Sequence, residues 1–365
     1  MRLERLRVWG FRNLADAAFE FPPAGLALLG PNGQGKTNLL EAICYPVLFR
    51  SFRRAGDGEL VGQRGRGAEG FRVELEFGAR SHHRRLAVCY RVAGKRKQIE
   101  LDGVESTRLS EGAGAWLAVT FLPEDVGLAS GTASERRYFL DRMLALADRR
   151  YLRALSAYRA ALAQRNSALR QKRLDMARAF DAPLAEAGAY IAESRMAWVE
   201  SKSAAFAEEV AGLSEPSIAE MKYLGNEALV DPTAWPRELD RTAQRDAARG
   251  VTSIGPHRDD LALALGGRLV RQFGSTGQQR SAAVALRLLE LETLRSARQE
   301  DPVLLLDDVF SELDSERQDR LAARLGDQRT TQVFLTAPRP GEIPARLGLP
   351  VATMMAGTVS GLPGD

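Results

Sequence analysis

The 365-residue sequence is long enough for two compact domains, or for one domain that carries a large insertion. Its hydrophobic fraction of 45% is that of a globular protein with a core, and no apolar run reaches the roughly 18 residues that a membrane span needs. The two cysteines, Cys44 and Cys89, are too few for a disulfide framework or a cysteine metal site, so we expect reduced thiols and a cytoplasmic location. The net charge of +4 permits nucleic-acid binding without establishing it.

Apolar patterns predict strands toward both ends of the chain and helices between them. Near the N-terminus, FRVELEFG and RRLAVCYRV alternate with period two, as antiparallel strands do, and KTNLLEAICYPVLF predicts a helix. Helical spacing follows over residues 135–178 and about 181–212, and strand patterns return in LALALGG, RLVRQF, PVLLLDD and TQVFLTA. We therefore predict an α/β domain built from residues 1–128 and 251–365, with a mainly helical domain, 129–250, inserted into it.

Near residue 30 the sequence contains the phosphate-loop pattern G-x-x-x-x-G-K-[ST] between a predicted strand, GLALL, and a predicted helix, NLLEAI. Glycines there let backbone N–H groups curl around phosphate oxygens, and the helix N-terminus adds partial positive charge. Lys36 would reach the β- and γ-phosphates, and Thr37 would coordinate Mg²⁺. The predicted nucleotide contacts are Gly30, Pro31, Asn32, Gly33, Gln34, Gly35, Lys36, Thr37 and Asn38.

The segment PVLLLDD, residues 302–308, ends in two acidic residues. Its consecutive apolar residues predict a strand buried on both faces of a parallel sheet, and α/β sheets hold their ligands at the carboxyl ends of such strands. Asp307 suits a Mg²⁺ shell, and Asp308 is placed to orient or deprotonate a water molecule. Adjacent carboxylates repel each other, which a bound cation would offset. The alternative is an acid pair in a solvated loop.

A second glycine-containing helix start, STGQQRS at residues 275–281, lies far along the sequence from the phosphate loop. A glycine between hydroxyl and amide side chains at the beginning of a helix is suited to holding an anion. The candidate residues there are Ser275, Gly277 and Gln278. Because the chain already has one phosphate loop, a second anion site raises the question of which ligand it serves.

In this order, the phosphate loop, the STGQQ segment and the acidic strand resemble the set found in ABC/SMC-type ATPases. More closely, the chain resembles the RecF family of bacterial recombinational repair. The resemblance is carried by eight segments in matching order and spacing: GFRNL, GPNGQGKTNLLEAI, TFLPED, RRYFLDRML, AQRN, GPHRDDL, STGQQRS and LLLDDVFSELD. It extends from Leu6 to about Ala337, and the helical insert is too short for the coiled-coil arms of SMC proteins.

The resemblance implies an ATP-dependent homodimer. ABC-type heads bind ATP between two subunits arranged head to tail. Lys36 and Thr37 of one subunit would hold the nucleotide, and Ser275, Gly277 and Gln278 of the other would meet its γ-phosphate. Mg²⁺ would be held by Thr37 and Asp307, with Asp308 and Lys36 as catalytic residues. Family members bind DNA and act with RecR and RecO to help RecA load onto gapped DNA. The resemblance therefore also implies these partners, single- or double-stranded DNA among them, and a weak DNA-dependent ATPase.

Three departures from the ABC pattern bear on hydrolysis. Asp308 stands where most ABC ATPases have a glutamate, so we expect slow hydrolysis, which suits a switch better than a motor. The segment Thr336-Ala337-Pro338 stands where the switch histidine is expected, which leaves the sensing of the γ-phosphate unassigned. The glutamine expected near TFLPED is absent, and Glu124 or Asp125 is the candidate replacement.

The helical segment from Glu135 to Arg178 carries twelve basic residues against four acids, an excess of roughly eight positive charges. One interpretation is a surface that follows DNA phosphates and weakens with salt, and the other is an ordinary solvated helix face. The DNA candidates are Arg136, Arg142, Arg149 and Arg153. In GPHRDDL, His257 and Arg258 either form a local ion pair with the aspartates that follow or act as ligands.

Two other function classes stay open on the sequence alone. One is the nucleotide-binding subunit of a membrane transporter, which the missing switch histidine and the basic helical insert disfavour. The other is a DNA-binding scaffold that binds ATP and never hydrolyses it. Hydrolysis that depends on Asp308 would separate that scaffold from an ATP-controlled switch.

Overall fold

The protein's structure, a computed structural model, describes residues 1–62, 69–80, 82–213, 215–326 and 331–362. Within these residues the strands, in chain order, are β1 (Arg2–Trp9), β2 (Ala17–Glu20), β3 (Gly25–Leu29), β4 (Gly70–Ala79), β5 (His82–Arg91), β6 (Arg96–Leu101), β7 (Val104–Ser106), β8 (Ala118–Phe121), β9 (Ala219–Leu224), β10 (Asp260–Leu265), β11 (Arg268–Leu269), β12 (Val303–Asp307), β13 (Val333–Ala337), β14 (Val351–Met355) and β15 (Thr358–Ser360). The α-helices are α1 (Lys36–Cys44), α2 (Leu109–Gly112), α3 (Val126–Ser130), α4 (Ala133–Ala147), α5 (Arg149–Arg170), α6 (Leu174–Arg178), α7 (Asp181–Gly212), α8 (Trp235–Arg249), α9 (Val270–Phe273), α10 (Thr276–Arg298) and α11 (Ser315–Gly326).

The chain forms two compact units whose limits differ from those of the predicted domains. The first unit comprises Met1–Asp125 and Glu290–Asp365, and the second comprises Val126–Leu289. The segment after residue 251 begins in the second unit because β10 pairs with β9 along its whole length. The predicted limits, 1–128 with 251–365 around 129–250, remain a prediction about how the ATPase domain is assembled.

The first unit contains a mainly parallel sheet with the strand order β15–β14–β3–β13–β12–β8. Every residue of β8, β12 and β13 is buried, as expected for apolar strands covered on both faces. Because β3, β12 and β13 run parallel, their carboxyl ends lie at one edge of the sheet. The segments that follow β3 and β12 therefore meet at that edge, and the predicted α/β fold with a buried PVLLLDD strand is confirmed.

The first unit also contains an antiparallel sheet, in the order β2–β1–β4–β5–β6–β7. Its strands alternate as the sequence predicts, with Val73, Leu75 and Phe77 of β4 buried on one face. Phe77 contacts the ring of Trp116, which precedes β8 in the parallel sheet. The inward face of the antiparallel sheet thus shares its core with the parallel sheet.

On the other face of the antiparallel sheet, the Glu74 carboxylate is only 2% exposed and accepts hydrogen bonds from three arginines. Arg7, Arg72 and Arg85 donate to it at 2.7–3.3 Å from three different strand positions. Burial alone would raise its pKa, but these hydrogen bonds outweigh burial and bring the pKa of Glu74 to about 2. The carboxylate therefore stays ionised under mildly acidic conditions.

The second unit is mainly helical, and its core lies between α4, α5, α7 and the sheet β11–β10–β9. Trp198 and Trp235 are buried in this core, as expected for tryptophans in helical runs. The prediction of a full strand at RLVRQF is wrong: β11 makes only two pairs with β10, and the chain continues as α9. No helix in the described part of the chain is long and apolar enough to cross a membrane.

Candidate nucleotide site

The phosphate loop joins β3 to α1 and depends on glycines with positive φ. Gly30 has φ 152°, and a Cβ there would lie 2.4 Å from the carbonyl oxygen of Met354. Gly35 has φ 115° and immediately precedes α1, and a Cβ there would lie 3.0 Å from Asn13 Oδ1. Both positions therefore require glycine, and the backbone turns toward the start of α1 as an anion-binding loop requires.

Lys36 begins α1, and its side chain folds back onto the loop that precedes it. Its Nζ donates to the carbonyl oxygens of Gly30 at 2.5 Å and Pro31 at 3.1 Å, and the residue is 6% exposed. The two carbonyls hold the ammonium group at the loop, where an anion bound by the loop N–H groups would meet it. A phosphate oxygen would offer the same donors a stronger, charge-assisted hydrogen bond.

Thr37 and Asp307 are in contact although 270 residues separate them in sequence. The Thr37 hydroxyl donates to Asp307 Oδ1 at 2.9 Å, and the Thr336 hydroxyl donates to the same oxygen at 2.7 Å. Burial raises the pKa of the Asp307 carboxyl, and these hydrogen bonds lower it only in part. A hydroxyl and a carboxylate oxygen side by side are the donors that Mg²⁺ uses together with phosphate oxygens and water, so these residues fit that ion.

The site would need the nucleotide's own oxygens to complete a metal shell. Within the described ranges, no group of three or more His, Cys, Asp and Glu side chains could hold a metal ion unaided. Magnesium in nucleotide enzymes is typically held by one or two protein oxygens and the substrate phosphates. The pair Thr37 and Asp307 therefore fits such a site.

Asp308 is the first residue after β12 and adopts a left-handed conformation, with φ 55°. Aspartate tolerates that region better than most residues because its short side chain bonds locally. The Asp308 N–H donates to Thr336 Oγ1 at 3.1 Å, and its carbonyl oxygen accepts from the Ser311 hydroxyl at 2.8 Å. Of the two candidate acids after β8, Glu124 is close enough to raise the pKa of Asp307, whereas Asp125 caps its own turn at Leu122 N.

A series of side-chain hydrogen bonds, which includes residues outside the motif, supports the phosphate loop. Asn13 Nδ2 donates to the carbonyl oxygen of Gly33 at 3.2 Å, Asn38 Nδ2 donates to Asn13 Oδ1 at 2.7 Å, and Arg53 Nη1 donates to Asn38 Oδ1 at 2.9 Å. Asn38, predicted as a nucleotide contact, thus uses its amide to join two neighbours. The sequence analysis assigned no role to Asn13, which lies within the GFRNL segment, or to Arg53, which lies in none of the quoted motifs.

The loop is also held by the β14–β15 hairpin. The carbonyl oxygen of Gln34 accepts from Gly357 N at 2.8 Å, and its Oε1 accepts from Ala356 N at 2.8 Å. Pro31, Asn32 and Gly33 stay exposed between these supports. The loop conformation is therefore fixed by segments from both ends of the chain, while its outer face is open to a ligand.

Arg12 and Glu41 form an ion pair that the sequence analysis also missed, and it connects the segment after β1 to α1. The Glu41 carboxylate is fully buried and accepts from Arg12 Nε at 2.9 Å and Nη2 at 3.1 Å, and from the Ser51 hydroxyl. A glutamate within the apolar run NLLEAI is the sequence signal that could have revealed it, because buried carboxylates need partners. This two-point ion pair fixes the position of Asn13, the next residue.

The predicted signature residues lie at the start of α10, in the second compact unit. The Ser275 N–H donates to Gln278 Oε1 at 2.9 Å, and the Gln278 N–H donates to Ser275 Oγ at 3.2 Å, which is a reciprocal capping box. Gln278 Nε2 also donates to Oε1 of Glu215, a carboxylate that is 5% exposed. Gly277 lies between the two capping residues, in the first turn. Both predicted side chains thus already have partners within their own unit.

The DNA candidates divide into exposed and buried residues. Arg149 and Arg153 are exposed on α5, and Arg142 is half-buried on α4. Arg136 is 2% exposed and makes a two-point ion pair with Asp260, at 2.7 and 3.0 Å. The expectation that Arg136 faces DNA is therefore corrected, because its guanidinium group neutralises a carboxylate inside the unit.

His257 and Arg258, from GPHRDDL, bond within the second unit. His257 accepts from the Tyr158 hydroxyl at Nδ1, at 2.6 Å, and donates from Nε2 to the carbonyl oxygen of Thr252, at 2.9 Å. Arg258 donates to the same carbonyl at 3.0 Å. Burial, with the nearby arginine charges, lowers the pKa of His257 to about 4. Among the described residues neither side chain forms a salt bridge with the two aspartates that follow, so the ion-pair alternative is wrong, and a ligand role stays a prediction.

The parallel sheet, the phosphate loop and the acidic end of β12 define a P-loop protein with the ABC/SMC-type ATPase fold. Residues 2–345 match the RecF/RecN/SMC N terminal domain family. The chain is 38% identical over 345 residues to the DNA replication and repair protein RecF of Anaeromyxobacter sp. (strain Fw109-5), with 92% of each chain covered. It is 35% identical over 361 residues to the protein of the same name from Moorella thermoacetica, covering 95% of this chain and 92% of that one. This chain belongs to the RecF family of DNA replication and repair proteins.

Solved structures support the same assignment. The chain is similar to the recombination mediator protein RecF-ATP of the RecFOR pathway, with 31% identity, a TM-score of 0.89 and coverage of 99% of this chain and 98% of that one. A second structure of that protein, RecF-ATPrS, matches with a TM-score of 0.87 over 98% and 97% of the two chains, at 31% identity. The Smc head domain from Pyrococcus furiosus, at 16% identity and a TM-score of 0.56, over 98% of this chain and 95% of that one, shares the fold alone.

Proposed function

We propose that this chain is an ATP-controlled DNA-binding protein of recombinational repair. ATP binds at the phosphate loop, with the Lys36 ammonium group at its β- and γ-phosphates. Thr37 and Asp307 would hold Mg²⁺, which would supply positive charge against the phosphate oxygens. The contact between Thr37 and Asp307 carries this proposal, because it joins the loop and the acidic strand in a single site at 2.9 Å.

Hydrolysis uses Asp308, whose carboxylate orients the attacking water molecule and accepts its proton. The side chain is one methylene shorter than the glutamate usual in ABC ATPases, so the reaction is slow. Slow turnover suits a switch that stays closed for as long as ATP is intact. A chain that binds ATP without hydrolysing it is the competing possibility, and single-turnover hydrolysis that Asp308→Asn abolishes would exclude it.

Two copies of the chain close head to tail around ATP. In the closed dimer, Ser275, Gly277 and Gln278 of one copy meet the γ-phosphate held by the loop of the other, since a helix N-terminus favours an anion. The dimer holds gapped DNA, with Arg149 and Arg153 among the residues that follow its phosphates. It acts with RecR and RecO, and aids the loading of RecA. The RecF-ATP structures, described as those of a recombination mediator in the RecFOR pathway, support this proposal.

Sedimentation with and without ATP and gapped DNA tests the dimer. Wild-type protein should sediment as a dimer only with ATP, whereas Ser275→Arg should bind ATP and stay monomeric, because the new side chain fills the second phosphate position. Ser296→Arg, at an exposed serine near the other end of α10, is the matched control and should dimerise normally. Dimerisation of Ser275→Arg at wild-type ATP concentrations would contradict the proposed contact.

The DNA surface is tested in the same preparations. The double variant Arg149→Glu with Arg153→Glu should weaken DNA binding and reduce the slope of log affinity against log salt by about 2. The double variant Arg237→Glu with Arg241→Glu, at two exposed residues of α8, makes the same change in net charge and should leave the salt slope unchanged. An unchanged salt slope in the α5 double variant would remove this face of α5 from the proposal.

A further inference from the structure

Thr336 links the two acids that follow β12. It lies in β13, is 1% exposed, and is directly paired with Asp307 in the parallel register. Its hydroxyl donates to Asp307 Oδ1 at 2.7 Å and accepts from the Asp308 N–H at 3.1 Å. A hydroxyl has one hydrogen to donate, so its direction is set: the proton goes to the first acid and a lone pair to the second.

The bond to Asp308 acts on a backbone that needs support. Asp308 has φ 55°, and a residue without glycine's freedom keeps such a conformation only when its surroundings determine it. The N–H of that residue points at Thr336 instead of continuing a strand ladder. Loss of the hydroxyl would remove the acceptor that this N–H uses and one of the contacts that support the turn, beside the Ser311 hydroxyl on the Asp308 carbonyl oxygen. The direction of the Asp308 carboxylate depends on the same turn.

We propose that Thr336 is a positioning residue for hydrolysis: it fixes the left-handed turn at Asp308 and so aims the carboxylate at the attacking water. This inference rests on the proposed function, in which Asp308 orients that water. Thr336 acts through the two acids, to which its hydroxyl is bonded. It stands where an ABC ATPase has its switch histidine, so a fixed hydroxyl behind the acids replaces a side chain that would touch the γ-phosphate.

Packing alone does not account for a threonine at this position. The preceding residues of β13, Val333, Phe334 and Leu335, are buried and apolar, so valine would match both the strand and the volume. Thr336 adds a hydroxyl to an otherwise apolar strand at the residue that faces Asp307. The same hydroxyl bonds both to Asp307, which is proposed to hold the metal, and to Asp308, which is proposed to orient water, and thereby couples their geometry.

Three substitutions separate positioning from packing. Thr336→Val keeps the shape and removes the hydroxyl, Thr336→Ala removes both, and Thr336→Ser keeps the hydroxyl. ATP affinity in the absence of Mg²⁺, measured by equilibrium binding, should stay within about threefold of wild type in all three, since the phosphate loop is unchanged. The rate of ATP hydrolysis should fall by about 10- to 100-fold in the valine and alanine variants, as expected for a displaced catalytic group, and recover in the serine variant.

Thr120→Val is the matched control, because Thr120 is a buried threonine of β8 in the same sheet and faces Leu305 rather than the acids. It should hydrolyse ATP at the wild-type rate. Wild-type hydrolysis by both Thr336→Val and Thr336→Ala would overturn the inference, as would an equal loss in Thr336→Ser. Absence of hydrolysis in the wild-type chain itself would instead overturn the proposed function.

Discussion

The phosphate loop and the start of α10 both offer backbone N–H groups at a glycine-containing helix start, yet they satisfy them differently. At the loop, the supporting bonds go to carbonyl oxygens and to Gln34, so the exposed outer face keeps its donors for a ligand. At α10, the N–H groups of Ser275 and Gln278 are already bonded to side chains of the same pair. The loop keeps its outer face open, whereas at the start of α10 a phosphate would compete with the capping box for the N–H groups of Ser275 and Gln278.

This difference suggests an order of events for the proposed dimer. A capping box contributes about 1 kcal/mol to a helix end, so a weak or dilute anion does not displace it. A γ-phosphate held in place by another copy's loop is presented at high effective concentration and can displace it. In the proposed dimer, nucleotide would therefore bind at the loop before α10 engages it, and α10 alone would bind free phosphate poorly.

The largest effect is expected from a substitution in the phosphate loop. Lys36→Met removes the ammonium group that the loop carbonyls hold, and ATP affinity should fall by about 100-fold, because charge-assisted bonds to phosphate are lost. ATP-dependent dimerisation should disappear with it. Lys222→Met, at a lysine 71% exposed on β9, is the control, and equilibrium binding of ATP is the measurement. Binding by Lys36→Met within threefold of wild type would show that the loop does not work as described.

A smaller effect is expected from a variant that lets phosphate compete more easily with the capping box at the start of α10. Glu215 accepts from Gln278 Nε2 at 3.2 Å and places a negative charge beside the helix start where the γ-phosphate would arrive. Glu215→Gln keeps an acceptor for Gln278 and removes the like charge. The dimer should then form at an ATP concentration about 3- to 10-fold lower, by sedimentation.

Glu220→Gln provides the control for Glu215→Gln, because Glu220 is a 40% exposed glutamate on β9 that pairs with Lys222. If both variants dimerise at the wild-type ATP concentration, the Glu215 carboxylate does not oppose phosphate binding. If Glu215→Gln requires more ATP to dimerise, the Glu215 carboxylate favours binding of the γ-phosphate at the start of α10 instead of opposing it.

The smallest effect concerns how the units that carry the two sites respond to acid. The pKa of His257 is about 4 in the folded second unit and about 6.5 when unfolded. The unfolded chain therefore binds a proton that the folded chain does not, and this unit loses stability as the pH falls from about 6.5 to about 4. Glu74 in the first unit, with its pKa lowered to about 2, keeps its full contribution above about pH 4.5 and loses it as the pH falls toward 2.

Thermal melting between pH 7 and pH 4 measures this response. His257→Gln should show a shallower fall in melting temperature over that range than wild type, since its amide does not titrate. His82→Gln, at an exposed histidine of β5 in the first unit, is the control and should follow wild type. Parallel melting curves for wild type and His257→Gln would mean that other groups govern the acid response.

Much of the fold and the centre of the site could be predicted because their signals are local. The GPNGQGKT loop lies between a strand and a helix within 20 residues, and PVLLLDD shows its burial by composition alone. The supporting residues were missed because their partners are distant in sequence: Asn13 bonds to Gly33, and Thr336 bonds to Asp307 and Asp308. No periodicity or motif records such contacts.

Charge counting failed for a related reason. The excess of basic residues between 135 and 178 is real, but a count does not say which arginines face solvent. Arg136 pairs with Asp260, 124 residues away, and Arg165 pairs with Asp246, 81 residues away, so both are buried. Arginines that neutralise acids inside a unit and arginines that face solvent are indistinguishable until the distant acids are placed.

The hairpin that holds the phosphate loop has a consequence for how the protein is made. Gln34 accepts from Ala356, 322 residues later, and β3 lies between β13 and β14 in the sheet. A ribosome adding about 5–20 residues per second needs roughly 16 to 64 seconds to cover that interval. Throughout this time the nascent chain carries the complete GPNGQGKT sequence without the strands and the hairpin that shape it. Chains that stop before this hairpin therefore contain the motif but not a braced phosphate loop, and the proposed switch becomes available only after residues 351–360 have been made.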